Sequence, residues 1–408
     1  MLIFALLFYH IKAMSFYFDF NFTPIQIALL ALLFALFCIE LVYLYFIYHR
    51  VAVYARKAML GKVQYASELP SVSVVVIARD EEGEQVLQLL PHLVSQEYPD
   101  YEVIVVNDGT SEVLQNAISL YECDYKNVYQ TFVPDTVYNV SRRKLGITLG
   151  IKAAKNDVVI LTDANCMPQS NRWIYAMARN FVPGVDVVLG YTRMAYNEGE
   201  KRGYYQVFDR MIFALRYLAY AVMKRPFMGV GSNLAYRRDT FFANKGFSAR
   251  LNLHFGDDDL LVNEIARKGN TRIEMSAESI VESHYADKSE AWNEMRMKYN
   301  FTSKYLHTSS KGVFAFESVL HILLWIVFAA AVVLSLPNMV GVAFALLIML
   351  IYWLLTWRVY LSAGALLGER CAVGLAPLFQ LVRPWYALYY AIVGRSCNKS
   401  NFTWQYLR

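Results

Sequence analysis

Carboxylates stand where runs of β-branched residues stop. Asp80 and Glu82 follow "SVSVVVIA", Asp108 closes "YEVIVVND", and "VVILTDAN" ends on Asp163 with Asn165 two residues later. A further run, Asp257, Asp258 and Asp259, immediately precedes the helical pattern "LLVNEIARKG". In open α/β sheets ligands bind just beyond the carboxyl ends of the strands, so acids there are placed for binding chemistry. Asp163 and Asn165 offer two oxygens to a hard divalent cation; one is uncharged, which makes a softer site than two carboxylates. Each acid also has a plainer use, because Asp and Asn cap helices and shape turns, and acids at a helix start gain from its dipole. Arg142, Arg143 and Lys144 open another helical segment, placed either for phosphate contact or as a solvated basic face. His284, in "VESHYADK", suits a metal such as Mn²⁺, although a lone histidine is more often a packing or surface residue.

The elements that must position these groups alternate between Ser71 and Leu306. "SVSVVVIA" is a near-continuous apolar run of the kind buried on both faces of a parallel sheet. A helical segment follows, then the strand "YEVIVVND", a helix from about Glu112, a short strand in "NVYQTFV", and a helix capped by Ser141. "DVVILTDAN" and "VDVVLGYT" are the next strands. The order is that of a doubly wound α/β domain. "GYYQVFDRMIFALRYLAYAVMKRPFMG" reads as one long helix, either in the domain core or lying on a membrane surface.

The flanks differ in kind. Of 408 residues 56% are hydrophobic and 18% charged, and the mean hydropathy is +0.28. Ile25–Tyr48 carries a single charge, Glu40, and has the length of a bilayer crossing. Two further apolar runs begin near Val319 and Val340; a fourth, after Cys371, is broken by Pro377, Arg383 and Pro384 and reads as a kinked span, a re-entrant hairpin or an interfacial helix. His49, Arg50, Arg56, Lys57 and Lys62 follow the first run and no Lys or Arg lies in "SFYFDFNFTP" before it, which places the central domain in the cytoplasm. The expected division is an anchor at 1–50, a catalytic domain at 51–312 and membrane segments at 313–408. The net charge of +5 is modest and no nucleic-acid motif accompanies it; five scattered cysteines lack any paired spacing.

"SVSVVVIARDEE", "YEVIVVNDGTSE", "KLGITLGIKAAKNDVVILTDAN" and "GDDDLLVNEIARKG" fall in the order and spacing of the family 2 glycosyltransferases, and the chain resembles their membrane-anchored, inverting members over about Pro70–Tyr299. The resemblance implies a GT-A fold, a Rossmann-like and mostly parallel sheet, in a cytoplasmic domain between N-terminal and C-terminal transmembrane helices. It implies a nucleotide-sugar donor, with a UDP-sugar expected, bound by Asp80, Glu82, Asp108, Lys144, Asp163 and Asn165. A Mg²⁺ or Mn²⁺ ion would be held by Asp163 and Asn165, and Asp258, with Asp257 beside it, would be the general base. Gly231, Ser232 and Asn233 match the family's glycine-rich segment near the sugar. Polymer-making members carry Gln-x-x-Arg-Trp on the helix entering the membrane; here Met295, Lys298 and Tyr299 replace Gln, Arg and Trp, and Arg296 lies between them. That departure favours transfer of one or a few sugars to a lipid or lipid-linked acceptor over a processive synthase. A silent nucleotide-sugar-binding scaffold is the rival outside the enzymes. The implied location is a bacterial inner membrane, with no nucleic-acid partner.

Overall fold

The computed structural model describes residues 17–79, 82–109, 112–134, 140–195, 203–369 and 373–396. Asp80 lies outside them. Helix α1 (Pro24–Tyr43) starts at the capping box of Thr23 and Gln26 and continues through a π-helical turn (Leu44–Tyr48) into α2 (His49–Met59). The domain follows as β1 (Val72–Ala78), α3 (Gly83–Val94), β2 (Tyr101–Asn107), α4 (Glu112–Asp124), β3 (Val128–Phe132), α5 (Arg142–Ala153) and β4 (Val158–Asp163). Then come β5 (Cys166–Pro168), α6 (Trp173–Ala178), β6 (Val187–Leu189), β7 (Thr192–Met194) and α7 (Tyr204–Val222). Next are β8 (Leu234–Arg237), α8 (Arg238–Ala243), α9 (Asp259–Ile265), β9 (Thr271–Ile273), β10 (Val281–Ser283) and α10 (Lys288–Thr302). Three long helices close the chain: α11 (Thr308–Ser335), α12 (Met339–Leu367) and α13 (Ala376–Ser396).

Seven strands form one sheet in the order β3-β2-β1-β4-β8-β6-β9. All seven residues of β1 are buried between parallel β2 and β4, which is why its sequence is apolar but for Ser73, whose Oγ donates to Glu102, rather than alternating. Register sets the site: Ala78 pairs with Asn107 and Ile77 with Asp163, so Asp108 just beyond β2 and Asp163 at the end of β4 share the sheet edge at which β1 also ends. Helix α5 lies close on this sheet because position 150 is glycine; a Cβ there would meet Val75 Cγ1 at 2.5 Å. The antiparallel β8 sits between β4 and β6, and a second sheet, β5-β10-β7, packs beside the first.

Helix α7 is buried on nearly all sides, which makes it a core helix, with the sheet on one flank and membrane-side helices on the other. Among the described residues three helices are long and apolar enough to cross a membrane: Pro24–Met59, Phe316–Ser335 and Met339–Leu367. Leu33, Leu324, Ala345 and Met349 form a core among them. The fourth, weaker segment is helical across Pro384, and its Arg383 turns inward to Glu317 at 2.5 Å. Glu317 also pairs with Arg216 of α7 at 2.6 Å and accepts from Tyr48 at 2.5 Å, so one acid ties the domain core to three membrane-side helices.

Candidate active site

A cavity of about 890 Å³ opens at the carboxyl edge of the parallel strands. The first turn of α5 points at it. Ser141 caps that helix, its Oγ accepting from Lys144 N at 3.4 Å, and the three basic residues then part company. Arg142 pairs with Asp108 at 2.7 Å. Arg143 bridges two acids, Asp163 Oδ1 at 2.5 Å and Asp257 Oδ2 at 2.7 Å. Lys144 turns away: it is fully buried and its Nζ donates to the carbonyls of Arg250, Leu253 and Phe255 at 2.7, 3.1 and 2.8 Å. An ammonium has three donors, and all three are used on this loop, so Lys144 is a loop anchor rather than a phosphate contact. Burial lowers its pKa to about 8, opposed by Asp257 and Asp259. None of the three basic residues is a solvated face.

Glu82 lines the cavity and accepts from the Arg79 guanidinium at 2.8 Å. Asn165 lies at the same wall, locked to His284 by two bonds: His284 N donates to Asn165 O at 2.9 Å and Asn165 Nδ2 to His284 O at 3.0 Å. Its Oδ1 receives only the Cys166 thiol, at 3.4 Å. Asp163 Oδ2, Asn165 Oδ1 and the exposed His284 ring are therefore the donors on offer, and among the described residues no group of three His, Cys, Asp or Glu side chains could hold a metal. A hard divalent cation that keeps one or two protein oxygens and completes its shell with substrate phosphates fits such a set.

The acidic run divides by task. Asp258 caps α9 and is saturated: Oδ1 accepts from Asp259 N at 2.8 Å, and Oδ2 from Gly231 N at 3.2 Å, Lys298 Nζ at 3.0 Å and Tyr299 Oη at 2.9 Å. A Cβ at position 231 would stand 3.3 Å from Asp258 Cβ, a tight contact that the glycine avoids. Asp257, beside it, lines the cavity and leaves Oδ1 without a hydrogen-bond partner. Burial alone would raise its pKa, but Lys298 and Arg143 override this and hold the carboxyl well below the usual range. Asp259 faces inward to Thr302, and burial next to Asp258 pushes it up to about 7.

Lys298 and Tyr299 thus both serve Asp258. Arg296, on the opposite side of α10, is bound to Asp209 of α7 and does not reach the cavity. Ser232 lines the cavity, whereas Asn233 is buried and holds Trp173 Nε1 at 3.1 Å and the Tyr191 carbonyl at 2.9 Å, a framework role. Tyr217 and Arg210 are cavity residues that strand-end reasoning does not single out, since both lie inside a helix that reads as core or as lying on a membrane surface.

A parallel β3-β2-β1-β4 half-sheet, a small second sheet and an acid-lined cavity at the strand ends define a GT-A glycosyltransferase domain. Residues 73–242 match the family described as Glycosyl transferase family 2, a match that supports a glycosyltransferase. The fold is similar to that of a mannosyltransferase from Pyrobaculum calidifontis, solved in complex with GDP-Man and Mn²⁺, at 16% identity and a TM-score of 0.50, over 91% of this chain and 97% of that one. TarS of S. aureus aligns at 14% identity and a TM-score of 0.40 over 61% of this chain and 42% of its own. GalNAc-T7, solved with UDP, GalNAc and Mn²⁺, aligns at 15% and 0.40 over 53% of this chain and 43% of its own. No curated protein sequence matches the chain.

Proposed function

We propose that the protein transfers a sugar, with inversion, from a nucleotide sugar to a lipid or lipid-linked acceptor at the cytoplasmic face of a membrane, a UDP-sugar being the expected donor. The observation that carries this reading is that one cavity joins the Asp108 end, the Asp163–Asn165 turn and the Asp257–Asp258 pair; in this reading they serve nucleoside, diphosphate and acceptor in turn. Asp108 and Glu82 suit ribose and base. Arg143 lies between Asp163 and Asp257, where a diphosphate would draw it off both acids. A divalent cation held by Asp163 and Asn165 would neutralise the charge that grows on the departing diphosphate.

The acceptor oxygen attacks the anomeric carbon as the bond from that carbon to the phosphate oxygen breaks, and the acceptor proton passes to a carboxylate. Asp257 is favoured over Asp258 for this task. Every oxygen of Asp258 is hydrogen-bonded, while Asp257 Oδ1 accepts no hydrogen bond and has only the Lys298 ammonium beside it at 3.8 Å. Withdrawing Arg143 toward the diphosphate also removes one of the charges that depress the Asp257 pKa, so donor binding makes it a stronger base.

The test is a titration of UDP into detergent-purified protein with and without Mn²⁺, on wild type and Asn165→Asp. Tighter binding with metal, accentuated in the Asp variant, supports the reading. UDP binding that ignores metal removes the cation from it, and absence of UDP binding overturns it in favour of a scaffold. Product length then separates transfer of one or a few sugars from processive synthesis.

A further inference from the structure

Every other cation on the cavity wall has an acid. Arg79 pairs with Glu82, Arg142 with Asp108, Arg143 with Asp163 and Asp257, and Lys298 with Asp258. Arg210 does not. It projects from α7 into the cavity, is only 8% exposed, and makes one long hydrogen bond, Nη1 to Tyr285 Oη at 3.4 Å, with the guanidinium 5.6 Å from that ring. Among the described residues no carboxylate lies within ion-pair distance of it. The neighbouring acid on the helix, Asp209, is spent on Arg296 and on Trp292 Nε1 at 2.8 Å. A guanidinium this buried is costly to keep unpaired, and five fixed donors in a cavity are a standing demand for an oxyanion.

We propose that Arg210, with the Tyr285 hydroxyl, binds a phosphate group on the acceptor, so that the acceptor is a phosphorylated lipid rather than a neutral glycan or alcohol. The donor's diphosphate has its own cation, Arg143, on α5 beside Asp163. Arg210 comes from a different element, α7, whose Phe213, Ala214 and Tyr217 line the same cavity and whose other flank meets α2 and α13 on the membrane side. An acceptor entering from the bilayer would present its head group to this helix. Tyr285 supplies an O–H donor and an aromatic face that keeps the guanidinium plane in place. The inference rests on the reading of the cavity as a nucleotide-sugar site and adds the class of acceptor.

The experiment uses full-length protein in nanodiscs containing phosphatidic acid or the diacylglycerol with the same acyl chains, together with a UDP titration, on wild type, Arg210→Met and Arg210→Lys. Wild type is expected to bind phosphatidic acid at least tenfold more tightly than diacylglycerol. In Arg210→Met that preference should fall to within about threefold, with UDP affinity kept within twofold. Arg210→Lys should restore part of it. Because the methionine replaces an unpaired buried charge, its melting temperature should equal or exceed that of wild type; a framework arginine would lower it. Equal binding of the two lipids by wild type overturns the proposal. So does an Arg210→Met variant that loses UDP affinity tenfold and keeps the lipid preference, which would assign the anion to the donor. Failure of wild type to bind UDP overturns the glycosyl-transfer reading instead, whereas UDP binding without phosphate preference overturns only the inference about the acceptor.

Discussion

At the scale of single residues, the acidic run shows how three like side chains take three tasks. Their neighbours decide: Arg143 and Lys298 keep Asp257 ionised, four donors saturate Asp258, and burial with Thr302 favours the protonated form of Asp259. Two predictions follow from that division. Asp257→Asn should lower transfer at least a hundredfold while UDP affinity stays within a few-fold, the signature of a lost base. Asp258→Asn should act mainly by releasing Lys298 and Tyr299, with a lowered melting temperature; if instead Asp258→Asn abolishes turnover in a stable protein and Asp257→Asn spares it, the base is Asp258. The second concerns pH. Asp259 titrates near 7 in the folded protein and near 4 when unfolded, so the folded state holds the extra proton between those values. Its contribution to stability therefore falls as pH rises from about 4 to 7. Melting curves at pH 5 and pH 8 should differ by less in Asp259→Asn than in wild type, and an unchanged difference would refute the assignment. The types of these residues were legible in the sequence; their partners were not. Lys144, Arg296 and Asn233 look like site residues by position, yet a helix sends adjacent side chains roughly 100° apart, and only Arg142 and Arg143 of the basic triplet reach the cavity.

At the scale of elements, long strands were readable and short ones were not. The seven-residue β1 and β2 announce themselves by β-branched apolar runs, "VVVI" and "VIVV", and acids follow at the ends. The four-residue β8 and the three-residue β5, β7 and β10 are too brief to show a period, so the antiparallel centre of the sheet and the whole second sheet stayed hidden in "GVGSNLAYRR" and "CMP". Helix α7 was ambiguous for a physical reason: a helix pressed between a sheet and membrane helices is apolar on most sides, and Asp209 and Arg216 have their partners far away in sequence. The partner of Arg216 is Glu317 of α11, which also serves Arg383 of α13. Removing Glu317 takes from the buried Arg216 and Arg383 the carboxylate they share. Glu317→Ala should destabilise the protein by about 3–5 kcal/mol, the range seen when one partner of a buried pair is deleted. Thermal unfolding in detergent measures this, and a shift of less than 1 kcal/mol would mean that water reaches the cluster.

At the scale of the whole molecule, the catalytic domain and the membrane helices share a core rather than a linker. Tyr48, Val51 and Ala55 of the first long helix, and Tyr360, Ala363 and Leu367 of α12, belong to the same buried cluster as Val75, Phe208 and Leu261. The first of those helices runs unbroken from Pro24 to Met59, so its lower half is membrane anchor in sequence and domain wall in structure. The phosphate-lipid reading of Arg210 needs this arrangement, because α7 can carry a head group to Asp257 only if the bilayer is held at a fixed distance from the cavity. It follows that a fragment of residues 61–306, cut where the sequence changes from membrane-like to α/β, exposes the α7 face that Tyr48, Val51 and Tyr360 cover. Such a fragment should remain in aggregates without detergent, bind hydrophobic dyes and melt without a cooperative transition, while the full chain in detergent melts cooperatively and binds UDP. A monomeric, soluble fragment with the UDP affinity of the full chain would show that the shared core is dispensable, and that the membrane helices deliver the acceptor without shaping the site that receives it.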